Sequence, residues 1–183
     1  MKRDITEILV NLRAKNRRLR REATIILGKS YYRLGSGERD TVVKAFLESI
    51  GDPDETVRFW SATLIKEIFF HANEPQKSML VQALAKLVTD ENDSVRTTAM
   101  ETTCRILFEV KSSDLQILLD AILARVSDTS SAVRDLLVDN LKRACHVAGP
   151  KQRLVLDALT RLAHDSDHHV RRSAMRIVDS LNG

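Results

Sequence analysis

The chain is short of the residues that most often announce chemistry. It has two cysteines, three prolines, six glycines and eight aromatic residues in 183. Cys104 and Cys145 lie far apart and form no CxxC pair, so a disulfide framework and a thiolate metal site are both excluded, and the thiols are expected to be reduced, in an intracellular, cytoplasmic protein. No apolar run approaches the roughly 18 residues of a membrane span, so no membrane partner is expected. The N-terminus, Met1-Lys2-Arg3-Asp4, has no small-residue cleavage site after it, which argues against a secretory signal. There is no Gly-rich phosphate loop, no nucleophile elbow and no strand-like alternation. His164, Asp165, Asp167, His168 and His169 cluster without the spacing of a common metal site, and Asp165 and Asp167 have structural duties. Nothing here points to an enzyme, a metal or a cofactor.

What is present is repetition. An aliphatic residue followed by arginine recurs as Leu19-Arg20, Val57-Arg58, Val95-Arg96, Val133-Arg134 and Val170-Arg171, with spacings of 38, 38, 38 and 37 residues. A period of that length means a stacked repeat whose units, each too small to fold alone, seal one another. The units run over about 1–35, 36–73, 74–111, 112–148 and 149–183, in a single domain.

Each unit reads as two helices. Val42, Val43, Phe46 and Ile50 set the apolar stripe of a first helix, A, and Leu119, Ile122 and Val126 repeat it. A polar turn follows, and its third residue is Asn16, Asp54, Asn92, Ser130 or Asp167, all good helix N-caps. Helix B begins there. Counting the aliphatic of the Val-Arg pair as zero, positions +4, +7, +8 and +11 form its core face. Breakers such as Gly35-Ser36-Gly37 and Gly149-Pro150 close each unit.

The pattern Asp-x4-Val-Arg, with Asp52, Asp90, Asp128 and Asp165, resembles the HEAT-repeat family along the whole chain. The first unit departs from it, with Ala14 where the others have aspartate, and the proline common in the family's A helix is absent. The resemblance implies an all-α fold, a right-handed superhelix of five antiparallel helix pairs. It also implies B helices on the concave face and an Asp–Arg ladder between units. The expected ladder residues are Asp52, Arg58, Asp90, Arg96, Asp128, Arg134, Asp165 and Arg171. Each arginine has the aspartate of its own unit in register. Arg20 is the expected exception, with Asp52 of the next unit its available carboxylate.

Positions +2, +6, +9 and +13 point away from the core face. They include Arg21, Gly28 and Tyr32; Phe59, Thr63, Lys66 and Phe70; Cys104 and Phe108; Arg172, Arg176 and Gly183. Seven of the eight aromatics fall between residues 31 and 70, and Phe59 and Phe70 are eleven apart, in helical register. This predicts a protein partner held by Tyr32, Phe59, Thr63, Lys66, Phe70 and Phe108, with Phe59, Lys66 and Phe70 at the centre and Trp60 packed between units. Residues 1–21 carry a net charge of +6, and Arg17, Arg18 and Arg21 are candidates for an anion or acidic partner at the start of a helix. Two alternatives stay open: a nucleic-acid-binding protein similar to HEAT-like DNA glycosylases, using that basic unit, and a HEAT-like lyase or chromophore-handling protein. A monomer or weak dimer is expected.

Overall fold

The computed structural model describes residues 5–182. Among them are ten α-helices and no strand: α1 (Ile5–Asn11), α2 (Arg17–Ser30), α3 (Ser36–Glu48), α4 (Glu55–Phe69), α5 (Glu74–Val88), α6 (Asp93–Ile106), α7 (Ser112–Leu123), α8 (Ser131–Ala144), α9 (Gln152–Leu162) and α10 (His168–Asn182). The odd-numbered helices are the A helices and the even-numbered ones the B helices. Short 3-10 turns extend α2, α3 and α6 at Tyr31–Arg33, Ser49–Gly51 and Leu107–Glu109.

The B helices begin where the turns supply acceptors. Asn16, Asp54 and Asn92 each accept a backbone N–H from the first turn of the helix that follows. Asp167 does the same for His169 and Val170. Ser130 makes no side-chain cap, so α8 starts without that bond. Helix α5 opens on a reciprocal capping box between Asn73 and Gln76, with Pro75 in its first turn, where a missing N–H costs nothing.

One apolar core runs the length of the stack, from Ile8 in the first unit to Ala174 in the last. The B helices form a continuous layer: α2 packs on α4, α4 on α6, α6 on α8 and α8 on α10. Where α2 meets α4 the approach is close. A Cβ built on Gly28 would lie 2.7 Å from Leu64 Cβ, so only glycine fits. Gly28 is therefore buried, although its +9 position points away from the core stripe. Helical register says which way a side chain points from its own core; it does not say where the next helix lies.

Position +7 carries two polar residues in this layer, and both hydrogen-bond to the preceding B helix. Thr102 Oγ1 donates to Ala62 O at 2.9 Å, and Asn140 Nδ2 donates to Met100 O at 3.0 Å. A second buried network ties three units at the opposite ends of the helices: Tyr31 Oη donates to Gln76 Oε1 at 2.7 Å, and Gln76 Nε2 donates to Asp40 Oδ1 at 2.6 Å. Burial pushes the Tyr31 phenol above its ordinary pKa. Buried hydrogen bonds of this kind fix register between units, because sliding would break them, although Asn140 Oδ1 itself has no partner among the described residues.

Candidate protein-binding face

The arginines come first, because they decide how much positive charge is left for a ligand. Four of them form one motif. Each sends Nε and Nη2 to the aspartate of the next unit: Arg20 to Asp52, Arg58 to Asp90, Arg96 to Asp128 and Arg134 to Asp165, all at 2.7–3.0 Å. Each sends Nη1 to the main-chain carbonyl six residues upstream, at Ala14, Asp52, Asp90 and Asp128. The aspartate Oδ1 also accepts a turn amide of its own unit, as in Asn92 N to Asp90 at 2.9 Å. The pairing thus crosses between units. Arginine meets its own unit's aspartate only through that carbonyl, which alanine provides equally well. Arg20 is therefore no exception. The odd one out is Arg171, which donates to Asp165 O and Ser166 O and meets no carboxylate among the described residues.

The rungs are largely dry. The side chains of Arg96 and Asp128 are 8% and 2% exposed. Asp165 is held below the usual carboxylate range, chiefly by the Arg134 hydrogen bond. Burial works to raise Asp128, yet bonds from Arg96 and the Ser130 amide outweigh it and leave the carboxyl below its ordinary value.

Three more arginines of the basic first unit also meet acids. Arg13 pairs with Glu48 at 2.6 Å, Arg17 with Asp54 at 3.4 Å and Arg18 with Glu22 at 2.9 Å. Arg21 is half-buried and has no carboxylate partner among the described residues. Arg17, Arg18 and Arg21 therefore do not converge as an unpaired cationic cluster. The acids that engage Arg13 and Arg17 come from the second unit, 35 and 37 residues away, beyond the reach of a local charge count.

The aromatics divide sharply. At position +13 of three successive B helices, Tyr32, Phe70 and Phe108 are 48%, 55% and 51% exposed. Each is held from one side without being covered. Tyr32 lies 5.9 Å from the His71 ring with the Arg33 guanidinium over it at 4.9 Å. Phe70 meets Phe69 edge-on at 5.8 Å. The Arg143 guanidinium sits 5.7 Å from the Phe108 ring. Phe59, expected in the open, is half-buried: its ring reaches back to the core edge and meets Trp60 edge-on at 5.8 Å. Thr63 is half-buried and donates its hydroxyl to Phe59 O at 2.9 Å. Lys66 is half-buried and 3.9 Å from Glu67.

Two grooves of matching make-up open between B helices. The one between α2 and α4, about 210 Å³, is lined by Gly28, Lys29, Tyr32, Trp60, Thr63, Leu64, Lys66, Glu67 and His71. The one between α6 and α8, about 340 Å³, is lined by Cys104, Phe108, Asp139, Lys142, Arg143 and His146. Each offers a +13 aromatic from its first helix, and a lysine at +9, an acid and a histidine from its second. Tyr32, Thr63 and Lys66 come together in the first groove and Phe108 lies in the second. Phe59 lines neither, and its expected place is taken by Trp60. Burial pushes the Cys104 thiol up, so it contributes bulk here rather than a thiolate. A wider recess of about 810 Å³ lies at the turn edge beside Asp52, Arg58, Asp90 and Glu91, but the charged groups of Asp52, Arg58 and Asp90 are already bound in the ladder. His168 and His169 meet edge-on at 5.4 Å while Asp167 caps α10. Gly183 falls outside the described residues.

No curated protein sequence matches the chain. Solved structures do, at low identity. Cex1p superposes with a TM-score of 0.79 at 20% identity, over 96% of this chain and 34% of that one. Pds5 from the Pds5–Scc1 complex gives 0.72 at 18%, over 96% and 29%. A designed armadillo repeat protein in complex with the peptide (KR)4 gives 0.67 at 18%, over 97% and 82%. The chain thus spans about a third of the two natural proteins and most of the designed one, and all three share its helical-repeat fold. A family model described as sister chromatid cohesion protein PDS5 matches residues 5–151. The chain, a HEAT-like α-solenoid, belongs to the PDS5 family.

Proposed function

We propose that this chain is a non-catalytic scaffold that holds a segment of a protein partner along its B-helix face. The observation that carries the reading is the row of Tyr32, Phe70 and Phe108. Three large rings stand half in water at the same position of consecutive units, each steadied by a neighbouring ring or guanidinium. Preordered aromatic rings lose little entropy on binding and are the commonest anchors of protein interfaces. Lys66 and Thr63 in the first groove, with Lys142 and Arg143 in the second, add polar contacts on the same face. The Pds5 comparison is with a complex containing Scc1 and the armadillo comparison with one containing a peptide, and both support a protein ligand. The nucleic-acid reading is less favoured because Arg13, Arg17, Arg18 and Arg20 of the basic first unit each meet an acid.

A peptide-display selection against the intact protein tests this. Enriched sequences that lose binding to the Tyr32→Ser, Phe70→Ser, Phe108→Ser triple variant, with its thermal midpoint unchanged, support the reading. Binders indifferent to the triple variant would reject it.

A further inference from the structure

The aromatic edge of the B-helix face is also its cationic edge. Positions +9, +10, +13 and +14 of α2, α4, α6 and α8 hold Lys29, Arg33, Lys66, Arg105, Lys142 and Arg143 against two carboxylates, Glu67 and Glu109. Positions +2 and +6 of the same helices reverse the sign, with Glu101, Asp135 and Asp139 against Arg21. The cations of the aromatic edge stay open. Lys66 comes within 3.9 Å of Glu67, and the other five enter no ion pair among the described residues. At the turn edge, by contrast, exposed arginines such as Arg13 and Arg18 do find acids. Helix C-termini favour cations by themselves. That preference does not explain why the Arg33 and Arg143 guanidiniums sit over the Tyr32 and Phe108 rings, or why Lys66 and Lys142 line the grooves beside them.

We propose that the partner segment is acidic: an extended stretch that crosses the ends of α2, α4, α6 and α8, with apolar side chains against Tyr32, Phe70 and Phe108 and carboxylates on the cations between them. This rests on the scaffold reading and adds the chemistry of the ligand. Charge complementarity selects the occupant, because a basic segment would set like charges together along the whole edge. The pitch of the stack sets the spacing. Packed helices stand about 8–10 Å apart, and an extended chain advances about 3.3 Å per residue, so one unit is passed in about three residues. Apolar anchors should recur at that interval, with acids between them. A single-stranded nucleic acid also combines flat rings with negative charge. Here a guanidinium already lies over the Tyr32 and Phe108 rings, on a face where a base would stack.

The test titrates the intact chain, by fluorescence anisotropy, into labelled peptides made of repeated Leu-Asp-Asp, Leu-Asn-Asn or Leu-Lys-Lys, and into an oligodeoxythymidine of the same length. The Leu-Asp-Asp peptide should bind tightest, by roughly tenfold over Leu-Asn-Asn at low salt, with the gap narrowing as salt is raised. The double variant Lys66→Gln, Lys142→Gln should close most of that gap while keeping its thermal midpoint. The proposal is overturned if Leu-Asp-Asp binds no better than Leu-Asn-Asn or Leu-Lys-Lys. It is equally overturned if the oligonucleotide binds more tightly than every peptide, for the edge would then be a nucleic-acid track. A display-selected peptide separates this proposal from the scaffold reading. Loss of its binding to the Tyr32, Phe70 and Phe108 triple variant but not to the lysine variant would end the acidic partner and leave the scaffold standing. Loss to neither variant would end both.

Discussion

Two neighbouring positions at the end of each B helix have opposite fates. At +12, Tyr31, Phe69 and Leu107 are at most 1% exposed; at +13, Tyr32, Phe70 and Phe108 are about half exposed. The first row closes the core between units, and Tyr31 also joins the buried Gln76 network. The second row leaves about half of each ring in water. The chemistry of the two rows is nearly the same, so hydrophobicity alone cannot explain both. What separates them is one residue of helical rotation, about 100°. A packed core accounts for the inner row; under the proposed function, a protein ligand accounts for the outer one.

The largest predicted contrast follows directly. Phe69→Ala removes a fully buried ring and should cost about 3–5 kcal/mol of folding stability by chemical denaturation. Phe70→Ala should stay within about 0.5 kcal/mol of the unaltered chain. Equal losses at the two positions would merge the rows into one core.

The repeat, the ten helices and the exposed row were legible in the sequence because they follow from spacing within a unit. The rest depended on where the next unit lies. Arg96 has Asp90 six residues upstream, yet its carboxylate partner is Asp128, 32 residues away. Nothing local distinguishes these acids, and so Arg20 rather than Arg171 looked exceptional. Trp60 and Phe59 differ by one helical step, and only the placement of α2 makes Trp60 a groove wall. Gly28 carried a signal that went unused: a glycine inside a helix costs about 1 kcal/mol, which calls for a reason such as close helix contact.

The ladder sharpens the contrast between covered and open positions. Arg96→Ala leaves Asp128 buried without its partner and should cost about 3 kcal/mol. Arg171→Ala, at the open end, should cost less than about 0.5 kcal/mol. A double-mutant cycle should find coupling of Arg96 to Asp128.

Gly28→Ala should cost about 1–2 kcal/mol, because the clash with Leu64 exceeds the gain in helix propensity. Gly37→Ala, with nothing within 4 Å of its new Cβ, should be neutral or slightly stabilising.

The smallest effect is a dependence on acid. Asp128 and Asp165 have folded pKa values below the ordinary carboxylate value of about 3.9. Their contribution is fully present above that value and is lost as the pH falls through the lower folded values. The thermal midpoint should therefore hold between about pH 8 and 5 and drop below about pH 4, with Asp128→Asn flattening part of the drop.

The outer aromatic row is the centre of the account, and Phe70 tests it most directly. Stability and affinity for a display-selected peptide are measured on Phe70→Ala and on the unaltered chain. The account predicts an unchanged denaturation midpoint and a loss of about 2 kcal/mol or more in binding. A variant that loses stability yet binds as tightly once folded would place Phe70 in the core and contradict it.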